Sequence, residues 1–155
     1  MERKLYEQNR LDVNLAGLPC YFKPQVFTAG AEPAGPWLDL ANYDKVMFVI
    51  MGGDCANIGD TLDALVNQAT SAAGANTKAI VGKAITTVTS TATTQNDMWF
   101  IHVDISELDV DAYFAFVQLE ITVSANDTWY IAAFCLREQG VFEPVSMTRV
   151  TELID

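Results

Sequence analysis

The chain has 155 residues, of which 50% are apolar and 19% charged, a composition that predicts one folded domain and excludes a disordered chain. Lysine and arginine number 9 against 20 aspartate and glutamate residues, so the formal net charge is −11. Because such a surface repels polyanions, nucleic acid and anionic membranes are poor partners. No apolar stretch approaches the roughly 20 residues that a membrane-spanning helix needs, and no signal peptide is recognisable.

Proline and glycine interrupt the start of the chain so often that no long helix or central strand is expected there. They stand at Gly17, Pro19, Pro24, Gly30, Pro33, Gly35 and Pro36. This pattern predicts an extended N-terminal arm over residues 1–41, with a short strand at residues 21–28, followed by a β domain over residues 42–155. Deletion of residues 2–36 is then expected to leave a folded β domain.

Alternation of apolar and polar residues with a period of two predicts strands in the rest of the chain. Residues 45–51 (KVMFVIM) are apolar on both faces, which is typical of a central strand in a sandwich. Residues 99–104 alternate, and residues 113–123 alternate without interruption. Residues 128–137 follow after four residues rich in turn formers, so the last two strands are expected to pair as a hairpin.

The middle of the chain fits two interpretations. Residues 61–70 fit either a short helix or a strand followed by a turn at residues 72–76, and residues 78–94 are rich in threonine, which favours strands. Residues 52–60 are rich in glycine and are expected to form a loop between strands. Six to eight strands with at most one short helix predict an all-β fold, an antiparallel β-sandwich or a jelly-roll-like domain.

Residues that could carry chemistry are few. His102, the only histidine, lies in the middle of a predicted strand without a nucleophile motif and is expected to be a half-buried strand residue. Cys20, Cys55 and Cys135 match neither a disulfide framework nor a zinc spacing, which indicates buried thiols in a protein made in a reducing cytosol. We therefore expect no catalytic residue, no cofactor and no enzymatic activity.

The most acidic stretch is residues 104–112 (DISELDVDA). Asp109 and Asp111 could bind a hard cation such as calcium if the backbone turns to bring their carboxylates together, although the glycine and the distal glutamate of an EF-hand loop are missing. The alternative is a solvated loop that leads into the next strand.

Three stretches of the chain carry a resemblance to a known group of proteins. They are residues 40–53 (LANYDKVMFVIMGG), residues 102–121, which contain the sequence ELDVD, and the strand at residues 128–136. Together they resemble small structural proteins encoded by tailed bacteriophages and prophages, in which an arm precedes a strand after Asn-Tyr-Asp and an acidic turn leads into a long alternating strand. Glycines often follow the second aspartate in that group, where this chain has Ala112 and Tyr113.

The resemblance implies a capsid decoration (cement) protein on the exterior of the virion, assembled in the cytoplasm of a host bacterium. Such a protein would bind the major capsid protein and itself, as a dimer or trimer, through many modest contacts. The implied partner-binding residues are apolar residues of the arm: Tyr6, Leu11, Val13, Leu15, Leu18, Tyr21 and Phe22. One alternative is a head-to-tail connector or another tail component. A second is a carbohydrate-binding β-sandwich module that uses aromatic side chains, with calcium at Asp109 and Asp111.

Overall fold

Two antiparallel sheets pack against each other as a β-sandwich, which confirms the predicted fold class. The structure is a computed structural model that describes residues 22–28, 35–91, 96–124 and 128–140. Sheet A contains, in spatial order, β1 (Phe22–Thr28), β9 (Thr128–Gly140), β3 (Tyr43–Cys55) and β7 (Met98–Asp104). Sheet B contains β2 (Leu38–Asp39), β8 (Phe116–Val123), β4 (Thr61–Ala69) and β5 (Lys78–Ala84), and β6 (Val88–Thr89) also pairs with β4.

The core lies between the two sheets and is built by the alternation seen in the sequence. Every second residue of a strand points inward, so β3 contributes Val46, Phe48 and Ile50, and β8 contributes Val117 and Leu119. The largest fully buried side chains are Trp129, Phe27, Phe48, Leu38, Leu40, Ile50, Leu62, Leu119, Ile121 and Ile131. No helix in the described part of the chain has the length and apolar character that crossing a bilayer requires.

Several predicted strands are present. The strand expected at residues 21–28 is β1, and residues 45–51 lie within β3, which is central between β9 and β7. Residues 61–70 form the strand β4, not a helix, and a turn joins β4 to β5 as expected. In that turn Gly74 has a φ of +76°, and a Cβ atom at this position would lie 2.6 Å from Trp37 Nε1, so only glycine fits without a shift.

The hairpin predicted between the last two strands is wrong. β8 lies in sheet B beside β2 and β4, whereas β9 lies in sheet A between β1 and β3. A short connection can join two strands of one sheet or two strands of different sheets. Alternation of apolar and polar residues identifies a strand, but it does not identify the strands that pair with it. The connection from β8 to β9 therefore crosses the sandwich.

Two predicted boundaries also differ from the structure. The alternating strand begins at Phe116 and not at Tyr113, because Tyr113 has a left-handed φ of 65° after a 3₁₀ turn at Val110–Ala112. The loop predicted at residues 52–60 begins later, since β3 continues to Cys55 with a shift of register opposite β9 between Gly52 and Cys55. Such a shift lets a strand bend while it remains in the sheet.

Candidate functional site

The outward face of sheet B has the polar surface expected of a sandwich in water. Asp63, Asn67, Gln118, Glu120 and Thr122 point away from the core along β4 and β8. The Asn67 amide donates to Glu120 Oε2 at 2.6 Å, and the Gln118 amide donates to the carbonyl of Gly35. The Asp63 carboxylate accepts from the Thr87 hydroxyl, so several polar groups of this face are paired within the protein.

The outward face of sheet A is apolar instead. Because Val46, Phe48 and Ile50 point into the core, the residues of β3 between them point outward. In the sheet each of these outward residues lies between one residue of β7 and one residue of β9. The resulting rows are Met98, Met51 and Ala132; Phe100, Val49 and Phe134; and His102, Met47 and Leu136. We call these nine residues, together with Val26 and Tyr130 of the neighbouring pair on β1 and β9, the apolar face.

The centre of the apolar face is buried and its rim is exposed. Val49, Ala132 and Leu136 are buried although they lie outside the core cluster. On the rim, Met98 is 51% exposed, Phe100 56% and Tyr130 56%. Large exposed apolar side chains clustered on one surface mark an interaction site more often than a solvent face. The apolar face is therefore the candidate functional site.

A shallow apolar hollow lies at one end of this face. It has a volume of about 260 Å³ and is lined by Pro24, Met51, Gly52, Gly53, Tyr130, Ile131 and Ala132. The hollow lies where β3 shifts its register against β9. Gly53 approaches Tyr130 closely enough that a Cβ atom on Gly53 would lie 3.3 Å from the Tyr130 Cβ atom. The backbone shift and the small residue together form this hollow.

His102 is more exposed than the half-buried position predicted for it. It lies on β7 in the last row of the apolar face, and its backbone carbonyl accepts a hydrogen bond of 2.7 Å from Lys83 Nζ. Beyond it Lys45 stands opposite Asp104, so charged residues end the apolar face on that side. His102 thus marks the border between the apolar face and a charged edge.

The acidic stretch at residues 104–112 is held to the body of the sandwich by hydrogen bonds and ion pairs. Asp104 caps the 3₁₀ turn Ile105–Glu107 by accepting from the Ser106 N–H at 2.9 Å, while Glu107 accepts from the Asp104 N–H at 2.9 Å. Lys83 pairs with Glu107 at 2.6 Å, and Lys78 pairs with Asp109 at 2.6 Å. The stretch is thus an ordered pair of turns attached to β5.

The carboxylates of the first turn have lowered pKa values. Hydrogen bonds from the Ser106 hydroxyl and N–H lower the pKa of Asp104, and the Asp104 N–H followed by Lys83 lowers the pKa of Glu107. A carboxyl group whose folded-state pKa is depressed stabilises the fold above its unfolded-state pKa, and this contribution disappears as the pH falls through the folded-state value. The capped turn should therefore lose its stabilising effect below about pH 4.

Asp104→Ala is accordingly expected to lower the melting temperature at pH 7 by a few degrees, since an exposed cap contributes about 1 kcal/mol or less. At pH 3 the difference between variant and wild type should be smaller, because the stabilisation that depends on the charged carboxylate decreases once the pH is below the unfolded-state pKa. Thermal melts at both pH values test this, with Asp111→Ala, which removes an exposed carboxylate from the next turn, as the control. An equal difference at pH 7 and pH 3 would contradict the assignment.

Asp109 and Asp111, the candidate calcium ligands, lie in the second of these turns, where other groups engage Asp109. Asp109 is engaged by Lys78, Asp111 is exposed, and the Asp109 N–H donates to Gln68 Oε1 at 2.9 Å. Within residues 22–28, 35–91, 96–124 and 128–140 no group of three or more histidine, cysteine, aspartate or glutamate residues could hold a metal ion.

Of the seven predicted partner-binding residues, one falls in the described part of the chain. Phe22 is buried in the core, with its ring packed edge-on against Phe27 at a centroid distance of 5.6 Å, so it offers little surface to a partner. The others, Tyr6, Leu11, Val13, Leu15, Leu18 and Tyr21, lie outside the described residues. So does Cys20, whereas Cys55 and Cys135 are buried free thiols as predicted, and burial raises the pKa of Cys55.

The apolar face was not identified from the sequence, although one signal for it was present. The pattern of residues 45–51 predicts a central strand with both faces apolar, and β3 does bury Val46, Phe48 and Ile50. In a two-layer sandwich, however, each sheet has only one inward face. An all-apolar strand therefore also implies an apolar outward surface.

The comparisons with known proteins leave the family of this chain open. No family model matches it. No curated protein matches it either.

Proposed function

We propose that this protein is a structural component of a tailed-bacteriophage virion that decorates the exterior of the capsid and stabilises the shell of major capsid protein. The proposal makes it a binding protein and not an enzyme. The observation that carries it is the apolar face, which occurs on a sandwich whose opposite outer face is polar. A protein with one adhesive and one solvated surface is suited to coat a larger assembly.

The chemistry of the two faces supports this orientation. The apolar face provides large side chains with little charge, such as Phe100 and Tyr130, which are the residue types that anchor protein interfaces. The face of sheet B carries Asp63 and Glu120, which fit exposure to water. Two buried free thiols, Cys55 and Cys135, fit assembly in the reducing cytoplasm of a bacterial host.

Capsid binding should depend on the apolar face. Tyr130→Lys places a charge on this face and is expected to weaken binding to purified undecorated capsids roughly tenfold or more, because an interface anchor contributes at least about 1.4 kcal/mol. Thr122→Lys adds the same charge to the outer face of sheet B and is expected to bind like the wild type. Co-sedimentation with capsids over a range of protein concentrations measures both affinities.

The number of copies in intact particles separates this proposal from its alternatives. A decoration protein is present at a copy number comparable to that of the capsid protein, whereas a connector or tail component is present in the few copies of a ring. Equal binding of Tyr130→Lys and Thr122→Lys, or the absence of the chain from purified virions, would contradict the proposal. Carbohydrate binding by the isolated protein, lost in Tyr130→Lys, would favour the sugar-binding alternative.

A further inference from the structure

Strand β7 is the last strand of sheet A on one side, and among the described residues no strand covers its outer edge. β3 pairs with one edge of β7, and no described strand pairs with the other. The His102 carbonyl accepts from Lys83 Nζ, so the backbone groups of His102 point away from β3. Alternate residues of an antiparallel strand share this direction, so the N–H and C=O groups of Met98 and Phe100 also point outward. An open edge of this kind can receive another strand.

A groove runs along this open part of β7. Its volume is about 600 Å³, and its walls are residues 84–88 on one side and Met98, Trp99 and Phe100 on the other. Apolar side chains from both walls, among them Ile85 and Val88, border it. At its far end Lys83 reaches across from β5 to His102, which closes the edge there. The open stretch thus fits a short extended segment, to which the groove offers apolar side chains together with the polar residues Thr86 and Thr87.

The N-terminal part of the chain contains such a segment. In residues 11–15 (LDVNL) the apolar residues Leu11, Val13 and Leu15 alternate with the polar residues Asp12 and Asn14. No proline interrupts these five residues, and alternation with a period of two is the pattern of a strand with one buried face. In total, 21 residues precede Phe22, where the described chain begins.

Charge favours the contact between this segment and β7. Acidic residues stand at both ends of the strand, with Asp97 before it and Asp104 at its last position. Arg10 immediately precedes the segment, and it can pair with Asp97 when the start of the segment is at that end of β7. The body of the protein carries the whole negative excess, whereas residues 1–12 hold three basic and three acidic groups. The arm is consequently repelled less by another copy than the rest of the chain taken as a whole.

We propose that the open edge of β7 and its groove receive residues 11–15 of a second copy of this chain as an added strand. The described chain begins in β1, at the edge of sheet A opposite β7, three strand spacings or about 14 Å away. The described chain thus starts at one edge of the sheet and the acceptor is at the other edge, an arrangement that permits head-to-tail contacts, which join copies into rings or chains. The inference rests on the proposed function in that it specifies how decorating copies contact each other.

Self-association of the isolated protein tests the contact without capsids. Sedimentation velocity should show oligomers of the wild type, and Val13→Asp should weaken their association roughly tenfold or more, because it places a charge against the apolar side chains that border the groove. Val81→Asp makes the same exchange at a residue of β5 that is 97% exposed and outside the groove, and its oligomers should match the wild type. A wild type that is monomeric at all concentrations, or equal effects of the two variants, would overturn the proposal.

A second pair of variants tests the backbone of β7. Phe100→Pro removes the outward N–H, which an edge strand tolerates since that group takes no part in the pairing with β3. Phe100→Ile keeps the N–H and an apolar side chain. Oligomers should weaken in Phe100→Pro and persist in Phe100→Ile, while thermal melts confirm that both variants are folded. If both variants form oligomers as the wild type does, strand addition is contradicted.

Crosslinking identifies the origin of the segment. In a Cys20→Ser background, one chain carries Asn14→Cys and a second, larger tagged chain carries Thr86→Cys in the wall of the groove. A short bismaleimide should join the two different chains in a mixture, and chains without the added cysteines provide the control for Cys55 and Cys135. A crosslink formed only when both cysteines are in one chain would show that the arm occupies its own groove and would overturn the proposal. Two outcomes separate this inference from the proposed function. If the protein forms oligomers but does not bind capsids, only the proposed function is contradicted. If monomers bind capsids and the binding depends on Tyr130, only this inference is contradicted.

Discussion

Leu119→Asp is expected to prevent the domain from folding. Leu119 lies in β8 opposite Val66 of β4, and both side chains are fully buried in the core. An unpaired carboxylate at this position costs several kcal/mol or more, which is comparable to the roughly 5–15 kcal/mol that stabilises a whole domain. The variant should show no cooperative thermal transition by circular dichroism and should accumulate in the insoluble fraction on expression.

The matched control for this variant lies three residues further along the same strand. Thr122→Lys points outward, opposite Asp63 of β4, so the new charge is in water and beside a carboxylate. Its melting curve should be within a few degrees of the wild type. A wild-type melting curve for Leu119→Asp would mean that the inward and outward faces of β8 are assigned the wrong way round.

Phe27→Ala is expected to lower the free energy of unfolding by about 3–5 kcal/mol. Phe27 is fully buried in β1, opposite Trp129 of β9 and against the ring of Phe22. Truncation leaves a cavity that these large rings cannot readily fill. The midpoint of urea unfolding should fall with little change in slope, and Val26→Ala, at the neighbouring outward position, should shift it only slightly. Equal effects of the two substitutions would contradict the placement of β1 in the core.

The place of β1 also changes the expected result of an N-terminal deletion. From the sequence, loss of residues 2–36 is expected to leave a folded domain, since prolines and glycines interrupt that stretch. In the structure the same deletion removes β1 and with it the buried rings of Phe22 and Phe27, and it exposes the edge of β9. A chain that begins at residue 37 is therefore expected to be much less stable than the full protein and to aggregate through the exposed edge.

Local patterns predicted the strands well because each strand leaves its own periodic signal. Residues 99–104 alternate, and Ile101 and Val103 of β7 are buried as that pattern requires. The start of β8 was misplaced because Tyr113 continues the alternation by chance while its backbone is left-handed. Periodicity reports which side of a strand is apolar, and it does not report the dihedral angles of the residue that precedes the strand.

The partners of each strand were not predictable in the same way. β8 and β9 are consecutive and carry the composition of a hairpin, but they lie in different sheets. The pairing depends on contacts between residues far apart in the chain, such as Val46 of β3 with Arg137 of β9. No feature of a single strand encodes these contacts, since every alternating strand offers the same backbone groups to every neighbour.

The residues of the candidate site were also only partly predictable from the sequence. His102, Asp109 and Asp111 stood out because their side chains are reactive, yet the structure places the first at the border of the apolar face and pairs Asp109 with Lys78. The apolar face is assembled from unremarkable residues of β3, β7 and β9. Their significance arises only when three strands are aligned in register, because adhesion depends on the contiguous apolar area and not on one functional group.

The amino-acid sequence alone determined that the chain is a β protein with an acidic body, because period-two hydrophobicity and net charge are local or additive properties. Strand order, the crossing from β8 to β9 and the burial of β1 were decided only by the tertiary structure. These features depend on which strands pack their inward faces into the same core. The arrangement of strands that is adopted minimises the exposed apolar surface of the whole chain and not of one strand. In the described residues this arrangement leaves apolar side chains on the outward side of sheet A, with Met98, Phe100 and Tyr130 exposed.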